Sequence, residues 1–225
     1  MKSYSQYDEQ QYILAALEGE PGRFLDIGGY HPTDKSNTRA LVELGWSGVI
    51  IEPSPGPFIN LLRGCVQCGN VPSELFGERH EAGGLKPCVK CGSLESYGMS
   101  DRFTLILAGV GMEARLVRFH ATDDLVSTSV DAQREVWSKV GGYYGHFLAQ
   151  LLTLEQIQNQ FGGFEFVNFD AEGVSADLFI KAMDLGWRPR CCVVEHDGRT
   201  TMIQSKAKDY NVVYTNETNV VMVRK

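Results

Sequence analysis

No run of about 18 consecutive apolar residues occurs in the chain, so no segment is expected to cross a bilayer as a helix. The opening stretch, residues 1–20, is too polar for a secretory signal. Without an export signal, the six cysteines are expected to be reduced or metal-bound rather than disulfide-paired, and the chain to be cytoplasmic. Positive charge is also scarce: 21 Lys and Arg against 28 Asp and Glu leave a formal net charge of −7. That balance argues against a general binder of nucleic-acid backbones, which needs a basic face. The 225 residues hold no internal repeat and no low-complexity tract. Their number suits one α/β domain, here 1–225, interrupted by a small module at 64–100.

What the sequence does contain is an alternation of apolar patterns. Residues 8–18 have helical spacing and stop at the breaker Gly19-Glu20-Pro21-Gly22. A buried strand, 23–27, ends in Gly28-Gly29; a helix over 37–44 follows, with Ser36 or Asn37 placed to cap it and Gly45 to end it. The next strand, 46–51, closes on Glu52-Pro53 and leads into a short helix, 57–63. This order predicts a parallel sheet with right-handed crossovers, a Rossmann-like α/β fold. After the irregular 64–100 stretch, strands are expected at 103–108 and 114–119 and a helix over 130–150. Thr153-Leu154-Glu155-Gln156 has the form of a capping box, so another helix should start there. Then come a strand at 164–169, a helix at 175–185, a strand at 190–194 and a closing hairpin over 211–214 and 220–223.

Four acids stand at successive strand ends: Asp26, Glu52, Asp170 and Glu195. In an open α/β sheet, ligands bind outside the carboxyl ends of the strands, so these side chains should meet in one crevice. Any one of them could equally cap a neighbouring helix; the convergence of all four with a glycine turn is what predicts a ligand site. Glu52, at the end of the second strand, is placed to accept hydrogen bonds from both hydroxyls of a ribose. Gly28 and Gly29 would let the backbone approach the ligand. A dinucleotide site wants G-x-G-x-x-G, but here Tyr30-His31-Pro32 follows the glycine pair. Asp26 would repel a pyrophosphate and suit the ammonium and sulfonium of S-adenosylmethionine. A methyltransferase is therefore expected over a nucleotide-dependent oxidoreductase.

The run Phe24-Leu25-Asp26-Ile27-Gly28-Gly29-Tyr30-His31-Pro32, with Ser36-Asn37-Thr38, Gly45-Trp46-Ser47-Gly48 and Ile51-Glu52-Pro53, resembles the FkbM family of methyltransferases. So do Ser5-Gln6-Tyr7, Asp170-Ala171-Glu172-Gly173 and the closing Asn219-Val220-Val221-Met222-Val223. The resemblance spans most of the chain except 64–100. It implies a class I methyltransferase fold, with a mostly parallel seven-stranded sheet and a C-terminal antiparallel hairpin. It also implies methylation of oxygen on a sugar or other small-molecule or glycan acceptor. The cofactor set it implies is Gln6, Asp26, Gly28, Gly29, Ser36, Asn37, Thr38, Glu52, Pro53 and Asp170, with Ala108 at the end of its own strand. The cysteine insert departs from the family pattern, as does Gly29 where many members have alanine.

Cys65-Val66-Gln67-Cys68-Gly69 and Cys88-Val89-Lys90-Cys91-Gly92 are two C-x-x-C-G knuckles separated by nineteen residues, a spacing expected of a zinc-ribbon-like four-cysteine site. Between them Val71, Leu75, Phe76 and Leu85 offer too little apolar bulk for a core, so metal must supply much of the folding free energy. Structural zinc bound by Cys65, Cys68, Cys88 and Cys91 is the expectation; a rubredoxin-like iron centre would use the same set. His80 should be a surface residue. Glu74, Glu78 and Glu81 balance Arg79, Lys86 and Lys90, and no basic aromatic stripe marks the insert as a nucleic-acid reader. Cys191 and Cys192 lie in an apolar strand and should point into the core on opposite faces.

Methyl transfer from a sulfonium is an in-line displacement, in which positioning supplies much of the rate. A hydroxyl acceptor also gains from a base. Asp170 is the first candidate, with the alternative that it only binds the cofactor's amino group. Glu172 could share its role, or the two could hold a cation. His31 and His146 are further bases by residue type, though each suits a structural or substrate-binding role better. Trp137, Tyr143, Tyr144, His146 and Phe147 could wall an acceptor pocket or simply pack an amphipathic helix. A different class of function is a non-catalytic module that recruits partners through the cysteine insert.

Overall fold

The computed structural model of the chain describes residues 2–72, 87–121 and 145–225. Its elements in chain order are α1 (Glu9–Ala16), β1 (Arg23–Ile27), α2 (Arg39–Glu43), β2 (Ser47–Ile51), α3 (Pro55–Arg63), a 3-10 turn (Tyr97–Met99), β3 (Phe103–Ile106), β4 (Gly109–Val110), β5 (Leu116–Ala121), β6 (Gly145–Leu152), α4 (Leu154–Phe161), β7 (Phe166–Phe169), α5 (Ser175–Asp184), β8 (Cys191–Glu195), α6 (Thr200–Lys206), β9 (Tyr210–Thr215) and β10 (Asn219–Arg224). Among the described residues seven strands form one sheet in the order β3-β2-β1-β7-β8-β10-β9. The first five are parallel, and β10 runs antiparallel to both β8 and β9. This is the mostly parallel sheet with a C-terminal hairpin that the sequence predicts.

The strands β1, β2, β7 and β8 are buried along nearly their whole length, as continuous apolar runs require when helices cover both faces. Alternate residues serve two cores. Phe24, Ile50, Phe166, Cys191 and Val193 pack with α1, α2 and α3 residues such as Ile13, Leu41 and Leu61. Leu25, Ile27, Val167, Cys192 and Val194 pack with α4, α5 and α6 residues such as Ile157, Phe179 and Ile203. Cys191 and Cys192 thus point to opposite faces, both fully buried. α4 begins with the capping box expected of Thr153 and Gln156: each side chain accepts a hydrogen bond from the other's backbone N–H.

Glu9 joins the two ends of the chain. It is fully buried in α1, and its Oε1 accepts hydrogen bonds from Asn216 and Asn219 of the β9–β10 turn, at 2.7 and 2.9 Å.

One expectation is corrected. Residues 145–150, placed in a helix by the 130–150 reading, belong to β6, which pairs antiparallel with β5 from Leu116↔Gln150 to Ala121↔Gly145 and parallel with β4. His146, Leu148 and Gln150 are exposed while their neighbours are more covered, the period-2 pattern of a half-buried strand. Residues 130–144 of that reading, with Trp137, Tyr143 and Tyr144, lie outside the described residues, so the acceptor-pocket wall is represented here only by His146 and Phe147. No helix among the described residues is long and apolar enough to cross a membrane.

Candidate active site and metal centre

The order of strands reverses beside β1: the chain leaves through β2 and β3 on one side and returns as β7 on the other. A crevice at the carboxyl ends of β1 and β7 is therefore the topological switch point, where open α/β sheets bind ligands. The turn after β1 is tight because the strand ends crowd it. Gly28 has φ +81°, and a Cβ there would lie 1.8 Å from the Asp170 carbonyl oxygen. A Cβ on Gly29 would lie 2.2 Å from Cγ2 of Ile50. The close approach that the two glycines permit is thus to neighbouring strands. Their N–H groups both donate to Ile51 O, at 2.9 and 3.3 Å, and the next helix starts only at Arg39. A pyrophosphate would find neither free amides nor a helix N-terminus at this turn.

Asp26 is turned inward. Its carboxylate accepts hydrogen bonds from the Thr38 hydroxyl at 2.6 Å and the Asn168 amide at 2.9 Å, and Asn168 Oδ1 accepts one from Asn37 at 3.0 Å. Burial pushes the Asp26 carboxyl upward, opposed by those two donors. Asp26 therefore acts first on the 36–38 loop. Asn37, itself buried, presents an Oδ1 with no hydrogen-bond partner among the described residues. Ser36 Oγ accepts from the Arg39 amide at 3.1 Å, and Ser36 N donates to Tyr4 O at 2.9 Å, which brings the amino-terminal segment over this loop. Gln6 is an exposed member of that segment.

Glu52 closes β2, with Oε2 accepting from Tyr30 N at 3.0 Å and Oε1 from Ser54 N at 2.7 Å. The Ser54 side chain bonds the same carboxylate, which offers about four lone-pair sites in all, so acceptor capacity remains for a ribose hydroxyl. Burial pushes its carboxyl upward against those backbone donors. Pro53 is half-buried beside it, and Ala108 is buried just past β3.

Asp170, Glu172 and Glu195 bring one carboxylate oxygen each within 4.8 Å of one another. Burial pushes Asp170 up to about 7, with repulsion from Asp26 and Glu52 adding to it. Burial and then Asp170 and Glu172 push Glu195 up to about 10, partly offset by the Ser175 hydroxyl, which donates to Glu195 Oε2 at 3.0 Å. Carboxyl groups so placed favour the protonated form or a bound cation that neutralises them. His31 is differently employed. Its Nδ1 accepts from the backbone of Thr33 at 3.2 Å and Asp34 at 3.0 Å, and burial lowers its pKa, with Asp34 opposing. The ring's basic nitrogen is committed to that turn.

The four knuckle cysteines meet in space. Cys65, Cys68, Cys88 and Cys91 have their sulfurs within 4.8 Å of one another, with the pairs Cys65–Cys91 and Cys68–Cys88 at 3.6 Å. The two knuckles are built alike: Gly69 N donates to Cys65 O and Gly92 N to Cys88 O, and both glycines have positive φ. Burial, then the neighbouring thiols, push Cys68 up to about 12. Cys88 falls to about 7, because amides of Lys90 and Cys91 outweigh its burial. Residues 73–86, including Leu75, Phe76, His80 and Leu85, lie outside the described residues.

Two residues of this region carry no obvious sequence motif. Asn168 is a polar residue inside an apolar strand, and such a residue demands a buried partner; that demand is the signal that points to Asp26. Arg39 is fully buried although it begins a short helix. Its only sequence cue is a lone cation ahead of Ala40-Leu41-Val42.

The sequence matches no protein-family model and no curated protein. Among solved structures, the chain is similar to the methyltransferase FkbM from Methylobacillus flagellatus KT, with a TM-score of 0.53 at 13% sequence identity. The match covers 98% of this chain and 48% of that one, so the chain spans about half the length of the solved protein. What the likeness establishes is a shared fold.

Proposed function

We propose that this chain is an S-adenosylmethionine-dependent methyltransferase that acts on a hydroxyl oxygen of a sugar or another small-molecule or glycan acceptor. The observation that carries the reading is the gathering of Asp26, Glu52, Asp170 and Glu195 around the β1/β7 switch point, close enough for each of Asp170 and Glu195 to feel other carboxylates. Such a site favours a cation and disfavours the pyrophosphate of a dinucleotide. The fold of the solved FkbM methyltransferase supports the same class. When bound, S-adenosylmethionine supplies the electrophilic methyl group.

In this reading Glu52 accepts a ribose hydroxyl. The 36–38 loop, held by Asp26 and Asn168, offers Asn37 Oδ1 to the ligand's ammonium. Asp170, at the reacting end, orients the acceptor hydroxyl and takes its proton, with Glu172 beside it. His31 shapes the loop and is left out of proton transfer. A hydrogen bond to a charged acceptor contributes about 1.5–3 kcal/mol, so Glu52→Ala should weaken S-adenosylmethionine binding by more than tenfold without loss of fold. Calorimetry on the wild type and this variant tests the assignment. Unchanged affinity in the variant refutes the role of Glu52, and tighter binding of NAD than of S-adenosylmethionine refutes the function.

The four cysteines are proposed to hold structural zinc. With Zn–S bonds of about 2.3 Å, a tetrahedral site places sulfurs about 3.8 Å apart, against 3.6 Å for the two closest pairs here. Elemental analysis should find one zinc per chain. Iron with a red colour, or no stoichiometric metal, would overturn that.

A further inference from the structure

The four-cysteine centre and the crevice share a side chain. Arg39 heads α2, directly after the 36–38 loop, and its guanidinium is fully buried. Nε donates to Glu43 at 3.2 Å; Nη1 donates to Val66 O at 2.9 Å and Tyr97 Oη at 3.2 Å; Nη2 donates to Glu43 at 3.0 Å and Gln67 O at 3.0 Å. A guanidinium has five N–H donors, and all five are engaged. Val66 and Gln67 are the two residues between Cys65 and Cys68, so their carbonyls point where Arg39 needs them only while the first knuckle holds its shape.

The packing is as close as the hydrogen bonding. A Cβ on Gly69 would lie 2.0 Å from Cγ2 of Thr33, and one on Gly64 would lie 2.4 Å from Cγ of Pro32. The knuckle therefore rests on the 30–38 loop. Its stem is anchored too: Tyr97 N donates to Gly64 O at 2.9 Å, Val66 N donates to Glu95 O at 3.1 Å, and Tyr97 is buried against Phe103. On the crevice side, Thr38 and Asn37 are the residues bonded to Asp26 and Asn168.

From this continuous set of contacts we infer that Arg39 is a positioning residue through which metal at the four cysteines sets the cofactor crevice. Four thiolates around one divalent cation fix the Cys65–Cys68 turn; its carbonyls fix Arg39; Arg39 fixes the start of α2 and with it Asn37 and Thr38. Without the metal nothing ties the Cys65–Cys68 knuckle to the second one, the turn opens and the guanidinium loses two of its acceptors. A planar fork serving five acceptor contacts has no equivalent in lysine, whose ammonium offers three donors. The inference rests on S-adenosylmethionine being the crevice ligand.

The test uses the full chain under reducing conditions, before and after zinc chelation and again after zinc is restored. Calorimetry with S-adenosylmethionine and amide hydrogen exchange are the two readouts. The expected result is an affinity loss of tenfold or more on chelation, with exchange protection lost at 36–42 and kept in β7 and β8, and both restored by zinc. Arg39→Lys should keep one zinc per chain yet show the same tenfold loss and the same local loss of protection. Unchanged affinity and protection in the metal-free protein overturns the inference. So does wild-type behaviour of Arg39→Lys, or loss of protection throughout the sheet, which would make the metal a general stabiliser. If the zinc-loaded wild type does not bind S-adenosylmethionine, the proposed function fails instead, and exchange at 36–42 still decides the coupling.

Discussion

Asp170→Asn should lower methyl transfer by about 10²–10⁴-fold while leaving cofactor affinity little changed. The variant keeps the size and the planar shape of the side chain and removes the oxygen proposed to take a proton. Asp170 emerges at the carboxyl end of β7 with its amide held by Ile27 O at 3.1 Å, so its position is set by the sheet rather than by its own side chain. Burial, with Asp26 and Glu52 adding, pushes its carboxyl up to about 7, near the value a base needs at neutral pH. The wild-type rate should therefore rise as pH increases through about 7, where the carboxylate forms, and the variant's residual rate should lack that rise. Stability moves the other way. A folded carboxyl raised above its unfolded value favours the native state at low pH, and that contribution is lost as pH rises through about 7. The variant should thus be no less stable than the wild type at pH 8. Reduced affinity with unchanged single-turnover chemistry at saturating cofactor would make Asp170 a binding residue, as partner of the ligand's ammonium.

Gly28→Ala should cost about 2–5 kcal/mol of stability, from a left-handed backbone and overpacking together. The new methyl would sit on the Asp170 carbonyl, a backbone atom that moves only if β1 and β7 part. Those strands pair from Phe24↔Phe166 to Ile27↔Phe169 at the middle of the sheet. Gly29→Ala is milder at about 1–3 kcal/mol, because its obstacle is a methyl of Ile50 and its φ is not positive. Urea midpoints of the two variants decide the order. Equal midpoints, or a more stable Gly28→Ala, would show that the turn relaxes and that the strand ends do not dictate glycine.

The parts of the fold legible in the sequence are those whose cause is local. The Thr153–Gln156 box works because both partners lie within one turn, and Arg23–Ile27 or Cys191–Glu195 read as strands because a buried parallel strand is a continuous apolar run. Strand ends follow from the same runs, so the acids that close them were legible as well. Gly145–Leu152 failed that test: its apolar residues fit a helix until Leu116–Ala121 supplies a pairing partner, and β6 exists through that pairing. α6 at Thr200–Lys206 was missed since it has one fully buried residue, Ile203, and so almost no periodicity. In the site, the four cysteines announce themselves by spacing. Arg39 does not, because its acceptors include backbone carbonyls 27 and 28 residues away, and any residue type supplies a carbonyl. Likewise nothing local to Gly28-Gly29 tells that the turn also makes room for the Asp170 carbonyl and the Ile50 side chain.

The bonds from Glu9 to Asn216 and Asn219 span 207 and 210 residues of chain. Closing so long a loop gives no return until nearly the whole polypeptide is in place. α1 precedes the β9–β10 turn in the chain, yet among the described residues that turn supplies the side-chain donors to its buried carboxylate. β10 also lies between β8 and β9, so the sheet is assembled from within by its last strand. The two bonds that tie the amino-terminal helix to the hairpin therefore form only once the hairpin has docked.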